Sequence, residues 1–170
     1  LGLNMARRGH DDVPDVRLRA ALRDPRPWYA SSSPYDLAPI AEAVPFYREW
    51  LDHPTRDAYW LQRSVEALYE RIAVPALHIG GWYDSFNEGT IRNFMRLAEV
   101  QQHAGPARQH LVMGPWGHVP WGTTVGGVDF GHEASGVSVD HAMVAFLRQH
   151  LDPQAEPAPP LAPVRYFVLK

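Results

Sequence analysis

Two residues whose types could carry acid–base chemistry, Asp84 and His118, each follow a short apolar segment of the chain. The first segment, 76–79, is stopped by a pair of glycines, and the second, 110–113, is stopped by Gly-Pro. A carboxylate bound to a histidine can orient the imidazole and stabilise the positive charge that forms on it. The two residues therefore predict the acid and the base of a hydrolytic triad, in the chain order Asp then His.

The elements around these residues would bring them together. Both apolar segments are short and glycine-bounded, which is typical of buried parallel strands. Between them, an apolar face recurs at i, i+3, i+4 and i+7 and predicts a helix, with Ile91, Phe94, Met95 and Ala98 on that face. A crossover helix places the C-terminal ends of two parallel strands at the same edge of a sheet. We therefore expect an α/β fold in which Asp84 and His118 emerge side by side.

Several linked strings resemble one known family. GGWYDSFNEGTIRNF and LVMGPWGH resemble the acid and histidine segments of the cocaine-esterase and X-Pro dipeptidyl-peptidase family of α/β-hydrolases. That family also includes α-amino-acid ester hydrolases and glutaryl cephalosporin acylases. WLDHPTRDAYWLQRS is similar to its helical cap, and VDFGHEASGVSVDHAMVAFLRQHL is similar to its last catalytic-domain helix. The resemblance covers about residues 45–170 and implies that Asp84 is the triad acid and His118 the triad base.

The resemblance also implies an architecture. It predicts the C-terminal part of an α/β-hydrolase sheet, preceded by a helical cap and ending at the first strand of a β jelly-roll domain. The expected boundaries are 1–73 for the cap, 74–152 for the catalytic domain, 153–163 for a Pro-rich linker and 164–170 for the jelly-roll strand. Within the cap, the residues predict a helix over 13–23, one or two short helices within 37–51 that are interrupted near Pro45, and a helix over 55–71. The glycine-rich stretch 122–136 is predicted to be irregular.

The nucleophile of such an enzyme is missing from this sequence. The chain has seven serines, and none lies in a G-x-S-x-G elbow. We therefore expect an internal piece of a serine hydrolase that acts on a small-molecule ester or amide. The chain would supply the acid and base, and the nucleophile would come from outside it. A truncated, non-catalytic remnant or interaction module is the open alternative. The preference between esters, amides and proline-containing peptides is also open.

Aromatic residues crowd both loops. Trp82, Tyr83 and Trp116 are candidates for substrate binding, because apolar pockets are commonly lined by aromatic rings. The alternative is that they only pack the edge of the sheet. His78, within the first predicted strand, is predicted to be a hydrogen-bonded core histidine.

Composition limits the partners. The formal net charge is −3 and the pI is about 6.3, which argues against a nucleic-acid or anionic-membrane partner. The chain has no cysteine, and its histidines lack the H-E-x-x-H spacing, so we expect neither a metal nor a cofactor. Whether the full-length enzyme is a homo-oligomer is left open, and so is its localisation.

Overall fold

The structure is a computed structural model that describes residues 13–31, 33–103, 108–119, 121–156, 159 and 161–169. The chain divides into two compact units between Ser64 and Val65. The first unit is built from helices, and the second combines helices with a parallel sheet. This division lies earlier in the chain than the boundary at residue 73 that the sequence predicts. None of the helices in the described part of the chain is long and apolar enough to cross a membrane.

The first unit consists of short helices separated by prolines. They are α1 (Val13–Arg23), α2 (Arg26–Tyr29), a 3₁₀ turn (Pro34–Asp36), α3 (Ala38–Ala43), α4 (Tyr47–Asp52) and α5 (Ala58–Leu61). Helix α1 packs against α3, with Leu18 and Val44 buried and an Arg17–Glu42 ion pair of 3.1 Å at the surface. The prediction of a helix over 13–23 is confirmed, and of the predicted one or two short helices within 37–51 there are two, α3 and α4, with Pro45 between them.

The prediction of one helix over 55–71 is wrong. The carboxylate of Asp57 caps the N-terminus of α5 by accepting the Tyr59 N–H, and α5 ends at Leu61. After the break at Ser64, residues Val65–Arg71 form a 3₁₀ helix that belongs to the second unit. Leu61, the last residue of α5, is 40% exposed. Capping and tertiary contacts therefore override the helical spacing of the apolar residues.

The second unit contains a three-stranded, entirely parallel sheet. Its strands are β1 (Ala76–Gly81), β2 (Gln109–Gly114) and β5 (Val164–Tyr166), in the order β1-β2-β5. The register pairs Gly81 with Gly114, so β1 and β2 end level with each other. All six residues of the central strand β2 are buried. This is the α/β class that the sequence predicts.

Helix α6 (Asn87–Val100) connects β1 to β2, and helix α7 (Val137–Leu151) follows them. The predicted helix between the strands is confirmed, but its buried face is rotated. Leu97 is 5% exposed, whereas Met95, which was predicted to be buried, is 60% exposed. The core forms around Val112, Trp116 and Val139. These three residues pack the end of β2 and the loop after it against the first turn of α7.

Two further strands, β3 (Thr124–Val125) and β4 (Val128–Asp129), form an antiparallel hairpin. The sequence prediction of an irregular stretch there is wrong. Gly126 and Gly127 have φ of 57° and 83° and make the tight turn that joins the strands, a conformation that glycine adopts without strain.

The structure describes the last strand in full and the predicted linker before it only in part. A strand is present at β5 as predicted, but it pairs in parallel with β2, so the assignment to a jelly-roll domain is not confirmed. The linker predicted over 153–163 lies partly outside the described residues.

The histidine of β1 is half-buried. His78 shares a 2.9 Å hydrogen bond between its Nε2 and Oε1 of Gln109, which is 2% exposed. The predicted hydrogen bond is present, although the histidine lies at the margin of the core.

Candidate active site

Two loops at the C-terminal edge of the sheet carry the acidic and basic side chains. Asp84 lies three residues beyond the end of β1, and His118 lies four residues beyond the end of β2. Because the strands are parallel and end level with each other, both loops leave the same edge of the sheet. The sequence-based expectation that the two residues emerge side by side agrees with this topology.

Backbone hydrogen bonds continue beyond the strands and hold the loops together. The Trp82 N–H donates to the Gly114 carbonyl, and the Tyr83 N–H donates to the Trp116 carbonyl, each at 2.9 Å. A Cβ added at Gly81 would lie 2.1 Å from the Trp116 carbonyl oxygen. Only glycine at position 81 therefore permits this approach of the loops.

The Asp84 carboxylate is only 10% exposed and has two hydrogen-bond donors. Its Oδ1 accepts the backbone N–H of Phe86 at 2.8 Å, and its Oδ2 lies 3.1 Å from Nδ1 of His118. The Phe86 N–H holds the pKa of Asp84 below its ordinary value, partial burial opposes this, and the hydrogen bond and charge of His118 lower it further. Asp84 is therefore ionised at neutral pH.

His118 is held at one side of its ring and open at the other. An ionised carboxylate can only accept hydrogen bonds, so Nδ1 of His118 is the donor and Nε2 of the neutral ring carries the lone pair. The side chain is 65% exposed. The Trp121 indole N–H donates to the His118 carbonyl at 3.1 Å and anchors the loop. The arrangement gives an oriented imidazole that can take up and release a proton at Nε2.

The three aromatic residues predicted to bind substrate lie in different environments. Trp116 is 4% exposed and donates its indole N–H to the Ala134 carbonyl at 2.6 Å, which favours the packing alternative. The half-buried Trp82 donates its indole N–H to the Phe167 carbonyl at 2.8 Å. Tyr83 is 51% exposed, directly before Asp84. Of the three, Tyr83 has the ring that is most available to a ligand.

Phe86 is a site residue that the sequence analysis missed. Its backbone binds Asp84, and its ring meets the His118 ring edge-on, with centroids 5.0 Å apart and planes at 66°. It is also 64% exposed. The spacing carried no signal for this contact, because it depends on the conformation of the loop after Asp84.

The described part of the chain shows no cluster of potential metal ligands. There, the histidine, aspartate and glutamate side chains do not gather in groups of three or more that could hold an ion. His10, Asp11 and Asp12, which invite a metal interpretation in the sequence, lie outside the described residues.

Comparison with known proteins identifies the family of this chain. The profile of the X-Pro dipeptidyl-peptidase (S15) family matches residues 3–120, which is more than half of the chain and includes both Asp84 and His118. The chain is also 32% identical over 113 residues, or 65% of its length, to cocaine esterase from Rhodococcus sp. (strain MB1 Bresler). That match spans 18% of the length of the esterase. The family resemblance is thereby confirmed, and it is a family of the serine-hydrolase type: the chain belongs to the X-Pro dipeptidyl-peptidase (S15) family.

Proposed function

We propose that this chain supplies the acid and base of a serine hydrolase that cleaves acyl esters or amides. The observation that carries the proposal is the 3.1 Å contact between Nδ1 of His118 and Oδ2 of the largely buried Asp84. It leaves Nε2 of an exposed imidazole free to act on a third group. The membership of the family supports a hydrolase of the esterase, acylase or dipeptidyl-peptidase type.

In the proposed reaction, a serine hydroxyl attacks the acyl carbonyl while Nε2 of His118 takes its proton. His118 then returns the proton to the leaving alcohol or amine, and an acyl-enzyme remains. Water activated by the same nitrogen releases the acyl group. Asp84 stays ionised throughout and stabilises the imidazolium that forms in each step.

The serine is proposed to come from outside these 170 residues. The hydrogen bond that the structure shows at the His118 ring joins its Nδ1 to the Asp84 carboxylate. Ser85, the serine nearest to Asp84 in sequence, is flanked by Asp84 and Phe86 and not by the glycines of a nucleophile elbow. The chain also matches only 18% of the length of the cocaine esterase relative, which leaves room for a serine elsewhere.

Two exposed rings on the Asp84 loop suggest the kind of substrate. Tyr83 and Phe86 flank Asp84 on this loop and are 51% and 64% exposed, and the Phe86 ring contacts the His118 ring. An exposed aromatic ring against the imidazole favours an apolar acyl or leaving group. We therefore propose an ester or amide with an apolar substituent next to the scissile bond.

Fluorophosphonate labelling, followed by intact-mass measurement, tests the proposal because the probe reacts with activated serines. The purified chain should remain unlabelled, and the enzyme that includes the serine should gain one adduct. In that enzyme, His118→Ala should abolish the adduct, because the serine then loses its base. A stoichiometric adduct on one of the seven serines of this chain would overturn the proposed source of the nucleophile. Undiminished labelling of His118→Ala would overturn the proposed base.

A further inference from the structure

A cavity of about 230 Å³ opens at the C-terminal end of β2, between the end of β5 and the start of α7. Its apolar lining includes Trp116 and Phe167. An adjoining open groove shares Tyr166 and Phe167 and is extended by Phe130. The two spaces together could enclose a small molecule and leave room for an apolar substituent.

Two opposite charges line the cavity without pairing. Glu133, on the 3₁₀ turn before α7, and Arg165, on β5, both line it, together with the hydroxyl-bearing Ser138. Among the residues that the structure describes, the side chains of Glu133 and Arg165 make no hydrogen bond or ion pair with each other or with any third residue. A carboxylate acceptor and a five-donor guanidinium are therefore both available to one ligand.

The combination of charges selects the ligand class. A simple cation would be attracted by Glu133 and repelled by Arg165, and a simple anion would meet the reverse. A molecule that carries both charges a short distance apart satisfies both side chains. The aromatic walls then favour an apolar group on the same molecule.

We propose that this cavity binds a free α-amino acid with an apolar side chain. Its ammonium group would bind Glu133, its carboxylate would bind Arg165 in the two-pronged manner of guanidinium groups, and its side chain would lie against Trp116 and Phe167. The site is distinct from the proposed catalytic pair, because neither Asp84 nor His118 lines the cavity.

The walls of the cavity do connect to the catalytic loops. Trp116 lies two residues before His118, and its ring forms part of the cavity wall. Trp82 lies two residues before Asp84 and donates its indole N–H to the carbonyl of Phe167, another wall residue. A bound amino acid would therefore contact the residues that support both loops.

Titration calorimetry with leucine and two near-isosteres tests the assignment on the full chain. Leucinamide lacks the carboxylate and is used below the pKa of its amine, and 4-methylpentanoate lacks the ammonium group. Leucine should bind, and each analogue should bind about tenfold more weakly or worse, because each loses a charge-assisted hydrogen bond. Absence of leucine binding at millimolar concentration, or an analogue that binds as tightly as leucine, would overturn the proposal.

Variants then locate the site. Glu133→Gln and Arg165→Gln should each weaken leucine binding about tenfold, and Arg165→Lys should restore part of it. Both side chains are exposed, so the fold should survive, which circular dichroism checks. The control is Arg148→Gln, an exposed position on α7 that does not line the cavity, and it should bind leucine as the parent chain does. Unchanged binding by both cavity variants, or loss of binding in His118→Ala, would place the ligand elsewhere and refute the proposal.

Discussion

The described part of the chain contains two histidine–aspartate pairs of nearly the same local design. In the helical unit, Nδ1 of His53 lies 2.6 Å from Oδ2 of Asp57, and at the sheet edge Nδ1 of His118 lies 3.1 Å from Oδ2 of Asp84. In both, the other carboxylate oxygen accepts the backbone N–H two residues further on. In both, a tryptophan indole N–H donates to the backbone carbonyl of the histidine. The hydrogen bonds alone therefore do not separate a catalytic pair from a structural one.

The aromatic neighbour and the exposure separate them. Tyr59 lies flat on the His53 ring, at 4.2 Å and 7°, and Arg63 lies 3.5 Å from the centroid of Tyr59. Phe86 instead meets His118 edge-on, so the faces of that imidazole are less covered. The histidine side chain of the first pair is 33% exposed, and that of the second is 65% exposed. The first ring is held as part of a stack, and the second is presented to solvent.

The origin of each pair differs as well. His53 and Asp57 are four residues apart, and the pair follows from the capping of α5, where an aspartate is a favoured N-cap residue. His118 and Asp84 are 34 residues apart and meet only because two parallel strands end at the same level. A pair that requires the tertiary fold, at the edge where α/β proteins bind ligands, is the stronger candidate for chemistry.

The largest expected effect is on catalysis. In an enzyme that includes the nucleophilic serine, Asp84→Asn should lower kcat by about 10⁴-fold, as a neutral amide neither stabilises the imidazolium nor keeps its tautomer. His118→Ala should lower kcat at least as much, because it removes the base itself. Steady-state kinetics with saturating ester measures both.

The other pair supplies the matched controls for this experiment. Asp57→Asn and His53→Gln make the same chemical changes in the helical unit and should leave kcat close to that of the parent enzyme. Near-parental kcat in Asp84→Asn, or an equal loss in Asp57→Asn, would remove the distinction between the two pairs.

The next largest effect tests whether the Asp84–His118 pair depends on the close approach of the two loops at Gly81. Gly81→Ala should destabilise the chain by about 3 kcal/mol, because its Cβ would collide with the Trp116 carbonyl, and backbone cannot move aside cheaply. Denaturant unfolding measures the change. In Gly81→Ala, the hydrogen bond between Asp84 and His118 should weaken, because the two loops move apart. The hydrogen bond between His53 and Asp57, which depends on local structure, should be unchanged.

Gly89→Ala is the control, since nothing lies within 4 Å of an added Cβ there. Position 89 is in helix α6, where alanine is favoured over glycine, so this variant should be about 0.5–1 kcal/mol more stable. The close approach of the loops would be refuted if both glycine variants were equally stable.

A smaller difference should appear in the reactivity of the two imidazoles. Diethylpyrocarbonate should modify His118 several-fold faster than His53, because His118 is the more exposed ring and lacks a stacked neighbour. Peptide mass spectrometry resolves the two rates. Tyr59→Ala should accelerate modification of His53 and leave His118 unchanged. Equal rates in the parent chain would contradict the argument from stacking.

The sequence predicted the shared sheet edge of Asp84 and His118 well and the helix over 55–71 poorly, for a physical reason. Glycine-bounded apolar runs with a helix between them allow few topologies, so the shared edge of Asp84 and His118 could be deduced. The division of 55–71 could not, because its cause is a set of side-chain contacts around Asp57 that spacing does not encode. Periodicity also misplaced Met95, since four apolar residues on a helix leave the exact rotation of its buried face open.

The short hairpin and the role of Phe86 were missed for different reasons. The hairpin had a readable signal in the Gly126-Gly127 turn between two β-prone dipeptides. The contact of Phe86 with His118 had none in the spacing, because it depends on the loop conformation that the Asp84 carboxylate itself stabilises.

The smallest effect concerns what lowers the pKa of each aspartate. For Asp57 the main cause is the hydrogen bond from His53, whereas for Asp84 it is the backbone N–H of Phe86. A carboxyl whose pKa is lowered in the folded state stabilises the fold above its unfolded pKa of about 3.9, and the contribution is lost as the pH falls through the folded pKa. His53→Gln should therefore remove most of that acid-sensitive contribution at Asp57, and His118→Gln should leave most of it at Asp84. Carboxyl-carbon NMR titrations of the two variants report both pKa values directly. A larger rise in the pKa of Asp84 than in that of Asp57 would mean that His118, and not the loop backbone, holds the acid in its ionised form.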